Sequence, residues 1–208
     1  MVVKQKVTDW SYKAKEAFEE SISVKKLCIE KCIPDLIQIA RAITHAIKNK
    51  NTLFLCGNGG SLADAQHLAA ELLVRLRPHV NRQSLPALCL ATDMSSVTAC
   101  GNDYGFDEIF SRALEGLGRS GDVLLGISTS GNSKNVIKAF DKAKSLGIQR
   151  IGFLGCGGGP MLKHCDLTMV IPSNVTARVQ ESHITAGHIL MEMIEDMLDE
   201  VGYLKSIE

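Results

Sequence analysis

Five short apolar runs, each followed by helical periodicity, constrain this chain more than any other feature. They are TLFLCG (52–57), PALCLA (86–91), DVLLGIS (122–128), RIGFLG (150–155) and DLTMVIP (166–172). Each is nearly continuous in apolar residues, as expected of strands buried on both faces of a parallel sheet. Helical patterns separate them at 61–76, about 94–101, 106–117, 132–146 and briefly near 160–164, and a long last helix covers about 176–201. This alternation predicts a doubly wound α/β fold with right-handed crossovers, in which ligands bind beyond the carboxyl ends of the strands. Residues from about 8 to 50 read as two helices. Trp10, Ala14, Phe18 and Ile22 share one stripe; Ile29, Ile33, Leu36, Ile37, Ala40, Ile43 and Ile47 share another. A break is expected at the short stretch from Val24 or at Pro34.

With 208 residues and no repeat or linker, one domain with a sizeable core is expected. The 23 basic residues balance 23 acidic ones, which argues against nucleic acid or an anionic membrane surface as the main partner. The run Arg75, Arg77, His79, Arg82 reads as a solvated edge. No apolar stretch approaches the ~20 residues that span a bilayer, and the N-terminus lacks a signal-peptide core, so a soluble, cytoplasmic protein is expected. Seven cysteines, an odd number, read as reduced and mostly buried thiols.

Three loops that follow strands carry the chemistry. In Gly57-Asn58-Gly59-Gly60-Ser61, glycine lets backbone amides approach an anion at a helix N-terminus; a plain tight turn capped by Ser61 is the alternative. Ser128-Thr129-Ser130-Gly131-Asn132-Ser133 holds four hydroxyls, more than one helix cap needs, and reads as a phosphate nest. Gly155-Cys156-Gly157-Gly158-Gly159-Pro160 fails the dinucleotide pattern at its last position and reads as a flexible loop, and the first loop lacks the Walker lysine. A phosphorylated small molecule fits two such loops. His67 and Glu71, four apart on one helical face, offer an acid/base or metal pair. The last helix adds Gln180, Glu181, His183, His188, Glu192 and Glu195. Gln180 and His188 lie about 80° apart on the wheel, and spacing alone does not choose among these groups.

Together, CGNGGSLADAQH, the His67/Glu71 pair, GNDYGFDEIFSRALE, GDVLLGISTSGNSKNVIKA and ARVQESHITAGH resemble the phosphoheptose isomerases, enzymes of the sugar isomerase (SIS) domain, over essentially the whole chain. The resemblance implies a single SIS domain over residues 1–208, a five-stranded parallel sheet in flavodoxin-like order, and a homotetramer with about residues 1–50 as oligomerisation helices. It implies interconversion of sedoheptulose 7-phosphate and D-glycero-D-manno-heptose 7-phosphate, the first step toward the ADP-heptose of lipopolysaccharide cores. It also implies one zinc ion per subunit on His67, Glu71, Gln180 and His188, with His183 and Glu181 in lesser roles. Substrate contacts fall on Asn58, Gly59, Gly60, Ser61, Glu71, Asn102, Asp103, Ser128, Thr129, Ser130, Ser133 and Gln180. Glu71 is expected as the base, His188 as the acid, and Asp103 in ring opening or hydroxyl orientation. Some members carry an acid where Ala177 stands here. Retention of all four ligand-type residues sets the chain apart from the non-catalytic replication-initiation factor of the same fold.

Overall fold

The computed structural model describes residues 9–206; the ends of the 1–208 domain and the expected start of the first helix at about residue 8 lie outside them. Helix α1 covers Trp10–Lys31 and α2 Ile33–Lys48. The side chain of Asp9 caps α1, its Oδ1 accepting from the amides of Ser11 and Tyr12 at 3.0 and 3.2 Å. The break falls at Cys32, with Pro34 in the first turn of α2 where a missing N–H costs nothing. The Val24 stretch runs through α1 unbroken, its residue 24 side chain buried. The two stripes have different fates. The second is buried at Leu36, Ala40, Ile43 and Ile47, joined by Ile39, but its first members Ile29 and Ile33 are exposed, as are Trp10, Phe18 and Ile22 of the first.

Five parallel strands follow: β1 Leu53–Gly57, β2 Ala87–Cys89, β3 Val123–Ser128, β4 Gln149–Leu154 and β5 Leu167–Val170. Their order is β2-β1-β3-β4-β5, the flavodoxin-like arrangement of a doubly wound sheet. The edge runs are trimmed most. Of PALCLA only three residues pair, Leu53 with Ala87 through Leu55 with Cys89. Soon after, Asp93 caps helix α4, Met94–Asp103.

Strand alternation divides the interior into two cores. Leu53, Leu55, Leu125, Ile127, Ile151 and Phe153 face α2 and two helices defined as α3, Gly60–Ala70, and α7, Thr176–Glu200. Phe54, Cys56, Leu124 and Leu154 face α5, Ile109–Leu117, and α6, Lys134–Leu146. Each buried Leu or Phe contributes about 1.5–3 kcal/mol of transfer free energy. Gly126 lets α6 seat closely on the sheet, since a Cβ there would lie 2.6 Å from Phe140 Cζ. All seven cysteines are free thiols, with Cys32, Cys56 and Cys89 buried and Cys156 exposed. Among the described residues no helix is long and apolar enough to cross a membrane.

His183 joins α7 to the sheet from within the core. It is wholly buried and its Nε2 donates to the Leu154 carbonyl at 3.1 Å. Burial pushes its pKa down to about 4, partly opposed by that hydrogen bond. The folded form therefore holds fewer protons than the unfolded chain between pH ~6.5 and ~4, so stability present above that window is lost as pH falls through it. Urea unfolding should show a loss of roughly 2–3 kcal/mol between pH 7 and 4.5 from this group. A His183→Leu variant, less stable at pH 7, should lose less over the same interval; an equal loss would remove His183 as the cause.

Candidate functional site

The sheet order reverses at β1 and β3, so the loops leaving these adjacent strands diverge to opposite faces and open a crevice between them. Both predicted anion loops rim it. After β1, Gly59 is the N-cap of α3 with φ +55° and ψ −121°, a conformation that favours glycine. Ser61 is not the cap; it is buried in the first turn, its amide bonded to the Asn58 carbonyl at 3.0 Å. The Asn58 side chain is engaged elsewhere, exchanging two 2.8 Å hydrogen bonds with Asn135 at the start of α6. This pairing of Asn135 was not revealed by its place behind the hydroxyl run. It holds the two loops together.

In the loop after β3, Ser133 is the N-cap of α6 but makes no side-chain cap. Its hydroxyl lies instead 2.9 Å from that of Ser128. Ser130 Oγ accepts the Asn132 amide at 3.2 Å. The hydroxyls are thus grouped rather than used to cap the helix. The third glycine loop is not a free flexible segment, contrary to expectation. It runs as two helical turns joined across a kink at Gly157, Gly158 and Gly159, within Cys156–His164, and backs the second loop: Met161 N–H donates to the Gly131 carbonyl at 2.9 Å, and Gly155 N–H to that of Ser128 at 3.2 Å.

Beside these loops α3 and α7 bring three polar side chains together. His67 Nε2 lies 2.7 Å from His188 Nε2 and 3.2 Å from Glu71 Oε1. The imidazoles meet edge to face, with centroids 5.0 Å apart. One candidate ligand atom from each residue falls within 4.8 Å of the other two. Two imidazole nitrogens and a carboxylate oxygen converging at such range suit a borderline cation such as zinc. Gln180, in the second turn of α7, lays its carboxamide on Gly60, where a Cβ would stand 2.0 Å from Nε2. A side chain at position 60 would therefore displace the Gln180 carboxamide. Glu181 turns away, its carboxylate held below the usual range chiefly by its hydrogen bond with Arg178.

Asp64 was missed. It precedes His67 and Glu71 on the stripe i, i+3, i+7, which was the available signal. Its Oδ2 is buried with no hydrogen-bond partner. Burial raises its pKa above the ordinary value, against the pull of His67 and His188.

Asn102 and Asp103 do not join the cluster. They end α4, exposed, with Asn102 Nδ2 donating to Asp103 Oδ1 at 2.8 Å. The basic run is not simply a solvated edge either. Arg82 is 3% exposed, and both it and Arg77 pair with the buried Glu195 of α7. An arginine in a basic run looks superficial because its partner lies 113 residues away.

A parallel α/β layer with glycine and hydroxyl loops at its switch point and an acid/base cluster beside them defines a class of protein that handles sugar phosphates. Residues 18–155 match the family model described as "SIS domain". The phosphoheptose isomerase of Chlorobaculum parvum is 52% identical over 77% of this chain and 77% of its own length. That of Aquifex aeolicus is 47% identical over 90% and 97%. The phosphoheptose isomerase structure from Neisseria gonorrhoeae superposes with a TM-score of 0.85 at 39% identity, covering 89% of this chain and 98% of that one. The chain belongs to the phosphoheptose isomerase family of SIS-domain enzymes and is a phosphosugar isomerase.

Proposed function

We propose that this enzyme interconverts sedoheptulose 7-phosphate and D-glycero-D-manno-heptose 7-phosphate, opening the route to ADP-heptose and the lipopolysaccharide core. The observation that carries the reading is the meeting of Glu71 and His188 from two helices beside the switch-point loops. The 128–133 hydroxyls and the glycine loop hold the phosphate by neutral donors. Glu71 removes the C1 proton of the open-chain ketose while His188 donates a proton to O2, giving an enediol. Glu71 then returns a proton to C2 as His188 accepts the one on O1, which yields the aldose with no net gain or loss of protons. His67, Glu71, Gln180 and His188 would hold one zinc ion per subunit. When bound, the ion supplies Lewis-acid polarisation of the carbonyl. Glu71 and His188 would serve as ligands and as base and acid at different moments, since a bound carboxylate is the weaker base and a ligating imidazole nitrogen carries no proton.

In this reading the enzyme is a cytoplasmic homotetramer. The exposed Trp10, Phe18, Ile22 and Ile29 of α1 are apolar surface that neighbouring subunits would cover. Asn102 and Asp103, away from the cluster, then contact substrate hydroxyls in a site completed by assembly. The test is incubation of purified protein, its assembly checked by light scattering, with sedoheptulose 7-phosphate and detection of the aldose. Activity should fall on chelation and return with zinc. Full activity in rigorously metal-free protein would reduce the cluster to an acid/base site, and no turnover with zinc present would favour a different sugar phosphate as the substrate.

A further inference from the structure

We propose that Arg82 is a positioning residue for Glu71, gripping the main chain where α3 unwinds and tying it, through Glu195, to the helix that carries His188. The kinetic arm of this inference rests on the proposed reaction and the calorimetric arm on the proposed zinc site.

The α-helical ladder of α3 ends at Ala70 and gives way to a π-turn over Glu71–Arg75, a wide turn found frequently at functional sites. The change of spacing redirects carbonyls, and Arg82 collects them. Its Nη2 donates to the Glu71 carbonyl and its Nη1 to that of Leu72, each at 2.9 Å. Nη1 also reaches the Gln83 carbonyl at 3.0 Å, and Nε donates to Glu195 Oε1 at 2.6 Å. The two side chains are sealed from solvent, 1% and 0% exposed. The second carboxylate oxygen of Glu195 accepts from Arg77 Nε at 2.8 Å, and Arg77 is held in turn by Asp196. Glu195 stands two turns beyond His188 on nearly the same face of α7. One guanidinium thus links the backbone of the proposed base to the helix of the proposed acid.

Stability alone does not account for this arrangement. A buried ion pair is a weak stabiliser, and an apolar pair of similar volume often serves as well or better. An apolar pair cannot hold two successive carbonyls on one rigid planar fork, and neither can lysine. Those carbonyls belong to Glu71 and the next residue, so the fork sets where the Glu71 carboxylate meets His67 and His188.

Two variants test this. Arg82→Lys keeps a charge opposite Glu195 and loses the fork; Arg82→Met/Glu195→Met removes both charges and leaves Arg77 its Asp196. For folded Arg82→Lys, kcat should drop about 10–100-fold with KM for the sugar phosphate within about twofold, because a misplacement near 1 Å costs rates of that order. Calorimetric zinc affinity should weaken about tenfold, as when a group orienting a ligand is lost. Each readout stands without the other, so an inactive parent would count against the isomerase reading and leave zinc binding to judge Arg82. Parental kcat and zinc affinity in a folded variant would overturn the proposal. If the lysine variant does not fold, the double variant decides by the same two measurements. Failure of both to fold would assign the pair to folding and equally overturn it.

Discussion

Replacing Glu71 with glutamine should leave a folded protein that binds sugar phosphate nearly as well as the parent and turns it over about 10²–10⁴-fold more slowly. The substitution preserves size, helix propensity and a carbonyl oxygen able to face a cation or a hydroxyl. What it removes is the capacity to accept a proton at neutral pH, which is the capacity the proposed enediol route requires. The surroundings favour such a clean outcome. The side chain is 14% exposed and its Oε1 faces His67 Nε2 at 3.2 Å, while the main chain is held independently by Arg82 through the Glu71 carbonyl. The amide therefore inherits the carboxylate's place. Calorimetric binding and turnover measured on one preparation separate the two effects. Turnover within about tenfold of the parent, with binding intact, would exclude Glu71 as the base and move attention to His188.

The architecture was legible because parallel strands buried on both faces must be apolar nearly throughout. All five runs contain a strand, and the edge runs were shortened most, where a single neighbour supports pairing. The loops were legible by composition. Their internal economy was not: nothing in the spacing says that the Asn58 carboxamide would be taken up by Asn135, or that Ser133 would turn from its own helix to Ser128. The choice of Gln180 and His188 on the last helix came from the family resemblance. Geometry places His188 with His67 and Glu71, and Gln180 on Gly60. Arg82 shows the limit most plainly. Composition makes it a surface charge, whereas the fold buries it against a glutamate from the other end of the chain.

The support of the hydroxyl loop leads to the second large effect. Gly131 sits at φ +62°, and a Cβ there would lie 2.1 Å from the Gly158 carbonyl oxygen and 2.4 Å from its carbon. Left-handed backbone costs an ordinary residue about 1–2 kcal/mol. The overlap adds about 1–3 kcal/mol more, because backbone on both sides has no rotamer by which to yield. The clash is relieved only by lifting the 128–133 loop off the glycine path beneath it, and that movement carries Ser128 and Ser130 with it. Gly131→Ala should therefore lose roughly 2–5 kcal/mol in urea unfolding. Its KM for the phosphorylated sugar should rise more than about tenfold, the loss expected when hydrogen bonds to a charged group are misplaced. Gly157→Ala is the matched control. Its φ of +70° imposes the same strain, but nothing lies within 4 Å of the added carbon, so it should lose about 1–2 kcal/mol and keep its KM. Equal losses in the two variants would show that the third loop gives the second no support. A parental KM in a destabilised Gly131→Ala would show that the 128–133 hydroxyls do not hold the phosphate.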